Sequence, residues 1–148
     1  MRTLPSGLCL AAVLALAASP AAVATEEEVY GQIEALHGDA DAFGEAFGLL
    51  QDAMMFGDPV TVADLGAYPL TVAANGEVYD VLAPQDLVDN YDALLMPETQ
   101  DLIANQDYAD LFVNDEGVMF GEGELWMALV CEDKACAQAS WRIIAINN

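Results

Sequence analysis

Positive charge is what this sequence lacks. Lys and Arg together number three against 25 Asp and Glu, the formal net charge is −22, and there is a single His. Phosphate recognition needs a basic face, so nucleic acid and anionic membrane surfaces are excluded as partners. Cysteine is also scarce. Three are present, and no C-x-x-C pair suggests a redox centre or a zinc knuckle. The chain has no internal repeats and no low-complexity linker. Only Leu8 to Ala18 forms a long apolar run, and it is too short to span a bilayer.

What is present at the N-terminus reads as an export signal. Arg2 supplies the positive start, Leu8 to Ala18 the apolar stretch, and Ala22-Val23-Ala24 the small-x-small cleavage pattern. Cys9 does not make a lipoprotein signal, because Leu8 precedes it where a small residue is needed. The expectation is a signal peptide over residues 1–24 and one mature domain over 25–148, periplasmic or secreted and not held in a membrane. Removing Arg2 changes the charge to −22 − 1 = −23 and leaves Lys134 and Arg142 as the only strong bases. Acids dispersed between apolar residues read as a solvated acidic shell.

Apolar residues Ile33, Leu36, Ala40, Phe43, Phe47, Leu50 and Met54 recur at helical spacing across 29–55, with a break expected near Gly38-Asp39. Asp58-Pro59 is a cap followed by a first-turn proline, which opens a short helix to Leu65 with Gly66 as its stop. Tyr68 to Ala73 and Glu77 to Leu82 read as two strands joined by a tight Asn75-Gly76 turn. Pro69 belongs at the start or edge of its strand. Pro84 opens a helix to about Met96, and Glu98 to Gln106 reads as another helix or helical turn. Tyr108 to Val113 is a short strand, Val118 to Cys131 one long strand bent at Gly121 and Gly123, and Ala137 to Ile146 the last strand. Helices early and antiparallel strands late predict an α+β domain.

This order, with Tyr68-Pro69-Leu70, Asn90-Tyr91-Asp92, Phe112-Val113-Asn114, Gly117-Val118-Met119 and Gly121-Glu122-Gly123-Glu124-Leu125-Trp126, resembles the nuclear-transport-factor-2-like (cystatin-like cone) superfamily. In particular it is similar to small exported bacterial proteins of that fold without an assigned activity. The resemblance implies helices packed on a strongly curved antiparallel sheet, forming a cone with an apolar pocket at its open end. The superfamily includes isomerases, dehydratases, epoxide hydrolases and proteins that only bind or dimerise, so fold analogy does not choose among them.

Two mature cysteines with four residues between them in an exported chain predict a Cys131–Cys136 disulfide pinning the C-terminal hairpin. Antiparallel pairing centred on that turn sets Cys131 opposite Cys136 and, without a bulge, Trp126 opposite Trp141 on one face. Leu125, Met127, Leu129 and Arg142 then fall on the other.

The candidate site residues are few. Tyr68, Tyr91, Tyr108, Trp126, Trp141 and Arg142 are the candidates for lining a pocket. His37 titrates near neutrality and could act as a base, or simply end a helix among acids. Asp80, Asp89, Asp92, Asp107 and Asp110 could place an aspartate base in the cone, with tyrosines, Tyr79 included, as donors, or be solvated acids. Asp115, Glu116, Glu122 and Glu124 miss the calcium-loop spacing, because the glycine register puts Phe112 at the first ligand position. Arg142 pairs Glu124 or another acid, or holds a ligand carboxylate. No cofactor and no metal are expected. The leading expectation is an exported non-catalytic domain that binds a small apolar or amphipathic ligand or a partner protein. The alternatives are a lyase or isomerase with an aspartate base, and a dimerising interaction module or inhibitor acting through the outer sheet face.

Overall fold

A computed structural model describes residues 22–148; Arg2 and the apolar run Leu8 to Ala18, on which the export-signal expectation rests, lie outside them. Helix α1 (Glu26–Leu36) is started by a reciprocal cap. The Glu28 amide donates to Thr25 Oγ1, and the Thr25 amide donates to the Glu28 carboxylate. The expected break falls at Gly38 and Asp39, both left-handed (φ 72° and 55°). Helix α2 (Ala40–Phe56) then runs to a left-handed Gly57. Asp58 caps α3 (Pro59–Asp64) through the Val60 and Thr61 amides, with Pro59 in the first turn as expected.

Strands β1 (Gly66–Ala74) and β2 (Glu77–Val81) form the expected hairpin over Asn75 and Gly76, both at positive φ. The helix expected over 84–96 is broken at Asn90 into α4 (Pro84–Asp89) and α5 (Tyr91–Leu94). Pro97 opens α6 (Pro97–Ala104) rather than only ending its predecessor. The segment expected as a strand from Tyr108 begins instead as a 3₁₀ turn (Tyr108–Asp110), followed by β3 (Phe112–Asn114). The long strand expected from Val118 to Cys131 is two strands, β4 (Gly117–Phe120) and β5 (Leu125–Cys131). Gly121 and Gly123, both at positive φ, make a turn between them and not a bulge. Strand β6 (Ala139–Asn147) ends the fold.

The architecture is α+β, with helices on one side of a six-stranded sheet ordered β2-β1-β6-β5-β4-β3. Two features of the expected cone are corrected. The sheet is mixed, because β1 and β6 run parallel, and it is open and not strongly curled. Pro69 is not at an edge either, since β1 lies between β2 and β6. It is tolerated there because the β1–β6 pairing is irregular between Gly66 and Thr71, where no ladder bond needs its missing N–H.

The core lies between α2 and the inner sheet face. Phe43, Leu50, Leu70, Phe120, Leu125, Met127 and Ile143 are fully buried. Aromatic rings pack against one another within this core. Phe43 meets Trp141 at 5.0 Å between centroids, and Phe47 meets Tyr108 at 5.4 Å and Phe120 at 5.7 Å.

The hairpin register also differs from the expected one. Cys131 faces Ala139, Leu129 faces Trp141 and Trp126 faces Ala145. The connection spans 132–138, closed by the Glu132 amide on the Gln138 carbonyl, so the turn is longer than one centred between the cysteines. The shift is odd, and an odd shift exchanges faces. Trp141 therefore joins Leu125, Met127 and Ile143 in the core, whereas Trp126 and Arg142 lie on the outer face with Ala128 and Val130. A bulge at Ile144, unpaired between Ile143 and Ala145, separates the two halves of the ladder.

Candidate functional site

The six candidate pocket residues do not converge on one place. Tyr68 lies over Gly66, where its ring leaves no room for a Cβ, and its hydroxyl donates to the Ala63 carbonyl at 2.7 Å. Burial pushes the Tyr68 phenol up to about 12. Tyr91 is buried, with its hydroxyl 3.3 Å from Gln100 Oε1, and burial raises its phenol too. Trp141 Nε1 donates to the Asp39 carbonyl at 3.1 Å. All three are structural ties between elements.

Arg142 finds an acid, but it is Glu132 and not Glu124. The ion pair measures 3.3 Å, and the guanidinium also donates to Ser140 Oγ and to the Asp64 carbonyl. A hydrogen bond from Ser140, then one from Arg142, holds the Glu132 carboxyl below its usual range. The bond to the Asp64 carbonyl ties β6 to the end of α3, and three of the five guanidinium N–H groups are engaged within the protein. Glu124 instead accepts from the Glu122 amide inside the β4–β5 turn. Asp115 and Glu116 belong to the other turn, where Asn114 Oδ1 accepts from the Glu116 and Gly117 amides. The four acids thus do not form one cluster.

Asp80, Asp89, Asp92, Asp107 and Asp110 are all exposed. Among the described residues no acidic side chain is buried. The lyase or isomerase expectation puts an aspartate base inside an apolar pocket, and none of the five candidates is buried. His37 is half-buried and takes the carbonyl of Asn114 at 2.7 Å. No group of three or more His, Cys, Asp or Glu able to hold a metal occurs among the described residues.

Two surfaces stand out. The first is the outer sheet face. Phe112, Met119, Trp126 and Ala145 sit opposite one another in register across β3, β4, β5 and β6, forming one apolar row. Ala128, Val130, Ala73 and Val78 extend it along the strands. Phe112 is 51% exposed and Val78 70%, and the others are half-buried. The only charges on this face along the paired strands are Asp80 and the Glu132-bound Arg142.

The second is a cleft of about 390 Å³ on the helical side, between the first turns of α1 and α2 and the 3₁₀ turn. Tyr30 OH donates to Asp41 Oδ1 at 3.0 Å across its mouth, which raises the Tyr30 phenol. Tyr108 lines it, and its hydroxyl is buried without a hydrogen-bond partner. Of the pocket candidates only Tyr108 reaches this cleft. Its other walls were missed because Glu26, Tyr30, Asp41 and Gly44 read in sequence as ordinary exposed helix residues. Gln51 was missed as well. Its amide donates to the carbonyls of Ile103, Ala104 and Gln106, closing the end of α6 against α2.

No family model, no curated protein and no solved structure matches this chain. The fold and surfaces therefore define a class only: a disulfide-containing α+β domain with a partly exposed apolar sheet face. No described helix is long and apolar enough to cross a membrane.

Proposed function

We propose that this is a non-catalytic interaction domain whose outer sheet face is its binding surface, and that the partner is a second copy of the chain. The observation that carries the reading is the apolar row Phe112–Met119–Trp126–Ala145, exposed at Phe112 and half-buried across the rest. Contiguous exposed apolar surface of this kind marks association sites. Charge argues for the self-partner. With a net charge of −22, two copies repel over most of their surface, and this face, whose paired strands carry only Asp80 and the Glu132-bound Arg142 and whose β4–β5 end carries Glu122 and Glu124, is where they can approach. The exposed aspartates give the lyase or isomerase reading no support.

The same proposal places the domain outside the cytoplasm and among nuclear-transport-factor-2-like proteins. The disulfide supports export. The early helices, the β1–β2 hairpin, the middle helices and the final run of antiparallel strands support the kinship, although the sheet lacks the expected curl.

Sedimentation equilibrium of the exported, processed protein tests the reading. A dimer is expected, tighter at about 0.5 M than at 0.05 M salt because screening weakens the repulsion. Trp126→Glu is expected to give a monomer with an unchanged circular dichroism spectrum. A wild-type protein that stays monomeric at about 100 μM and high salt would sink the proposal, since a self-association of biological use is tighter than that.

A further inference from the structure

We propose that the free edge of β2, with the groove beside it, takes an extended segment of a basic polypeptide as a seventh strand. The site lies at one end of the sheet, next to α4 and α5, and is distinct from the row of Phe112, Met119, Trp126 and Ala145.

Backbone chemistry defines the kind of ligand. β2 is the last strand on its side of the sheet, and only Val81 of its five residues is buried. The tight Asn75-Gly76 turn makes Ala74 and Glu77 a bonded pair. Bonded and unbonded pairs alternate along an antiparallel ladder, so the N–H and C=O groups of Val78 and Asp80 point away from β1. Among the described residues no hydrogen bond engages those groups. Proteins commonly blunt such an edge with Lys, Pro or a bulge. β2 has no Lys or Pro, and its pairing with β1 runs in unbroken register. The opposite edge, β3, is three residues long and offers less to pair with.

Side chains define the sequence of that ligand. A groove of about 410 Å³ beside β2 is lined by Tyr79, Val81, Leu82 and Leu94 and by Asp80 and Asp86, with no basic residue. Asn75 Nδ2 donates to the Ala93 carbonyl at 3.2 Å, which holds the hairpin turn against α5 at one end of the groove. The Asp86 carboxylate accepts from the Ala83 amide and the Glu77 carboxylate from the Tyr79 hydroxyl, and each keeps lone pairs for a further donor. Tyr79 and Val81 share one face of β2, and Val78 and Asp80 the other. An incoming strand that alternates apolar residues with Lys or Arg sets its apolar side over the groove and its cations beside Asp80. A second copy of the chain fits poorly. Pairing β2 with itself would bring two Glu77 and two Asp80 side chains into one short ladder without a cation.

The probe is the synthetic peptide acetyl-Lys-Val-Lys-Val-Lys-amide, followed by titration calorimetry and amide hydrogen exchange on the exported, processed protein. Saturable binding is expected, weakening about tenfold between about 0.05 M and 0.5 M salt. Exchange at the Val78 and Asp80 amides should slow by about tenfold or more, while that of β3 stays unchanged. The same peptide with every backbone nitrogen methylated keeps its charge but has no N–H to donate, and should not bind. The counterpart with Glu in place of Lys should not bind either. Val78→Pro removes an outward N–H and no bond of the β1–β2 ladder, so the fold should stay intact and the affinity fall about tenfold. Any of four outcomes would overturn the site: no saturation by about 5 mM, equal binding of the acidic or the methylated peptide, slowed exchange elsewhere than at β2, or full binding by a folded Val78→Pro variant. The methylated peptide carries the test should that variant not fold. Repeating the titration on Trp126→Glu separates this result from the fate of the sheet-face proposal.

Discussion

The imidazole of His37 stands edge-on to the indole of Trp141, with ring centroids 5.4 Å apart. His37 also takes the Asn114 carbonyl at 2.7 Å, and Trp141 reaches back to the Asp39 carbonyl at 3.1 Å. The lone histidine ends α1 as its C-cap, as one of the two readings expected, and from there makes two tertiary contacts. With Trp141 it clasps the α1–α2 break to β3 and β6. The two left-handed residues Gly38 and Asp39 turn the chain so that both contacts form at once.

His37→Ala removes one hydrogen bond to a backbone carbonyl and one aromatic edge contact. The expected loss is about 1 to 2 kcal/mol, with the unfolding slope in urea unchanged. Trp141 emission should shift to longer wavelength as water reaches the ring. A variant as stable as wild type, with unaltered emission, would show that the clasp contributes nothing.

Tyr68 carries a pH prediction. Burial raises its phenol to about 12 in the folded protein, against about 10 in an unfolded chain. Between those values the unfolded state has released the proton and the folded state has kept it. Stability from this group is therefore full below about pH 10 and falls as pH rises toward 12. Tyr30, Tyr79, Tyr91 and Tyr108 shift in the same direction, so the alkaline loss is shared. Tyr68→Phe should cost about 1 kcal/mol at neutral pH by removing the bond to Ala63. It should also flatten part of the decline above pH 10. Urea unfolding at stepped pH, with phenolate absorbance as the second signal, checks both. A decline of unchanged steepness in Tyr68→Phe counts against the assignment.

The sequence was most readable where structure is local. Asp58-Pro59, the Asn75-Gly76 turn and the break at Gly38-Asp39 each rest on backbone preferences that act within a few residues. It misled at the β4–β5 turn, because Gly121 and Gly123 permit either a bulge or a reversal and only the sheet decides. The hairpin register failed for a related reason. Lengthening the turn to residues 132–138 shifts the pairing by an odd step, so one local error moved Trp126 and Trp141 to opposite faces. The parallel pairing of β1 with β6 depends on contacts far apart in sequence and left no local signal. The cleft was hidden likewise, since nothing near Glu26 or Gly44 in sequence announces Tyr108.

The expected disulfide forms, but its geometry changes its role. Cys131 ends β5 opposite Ala139, whereas Cys136 lies inside the loop at φ 53°. The bridge therefore closes the loop on itself and does not join the two strands. Asp133 holds the same loop independently, its carboxylate accepting from the amides of Ala135, Ala137 and Gln138. Register is instead set by Leu129 against Trp141 and Met127 against Ile143, whose side chains are the ones a one-residue slip would expel from the core. The double variant Cys131→Ser, Cys136→Ser should lose no more than about 2 kcal/mol, the value for so short a closed loop. Amide exchange along β5 and β6 should keep its native pattern. Hydrogen bonds, led by that from Ala137, hold the Asp133 carboxyl below its usual range. Its support is thus present above the unfolded pKa and is lost as pH falls through the lowered folded one. In the cysteine-free variant the loop amides of residues 135–138 should accordingly become labile on acidification at a higher pH than in the bridged protein. If removing the bridge instead shifts the β5–β6 pairing, the disulfide and not the buried Trp141 face fixes the register.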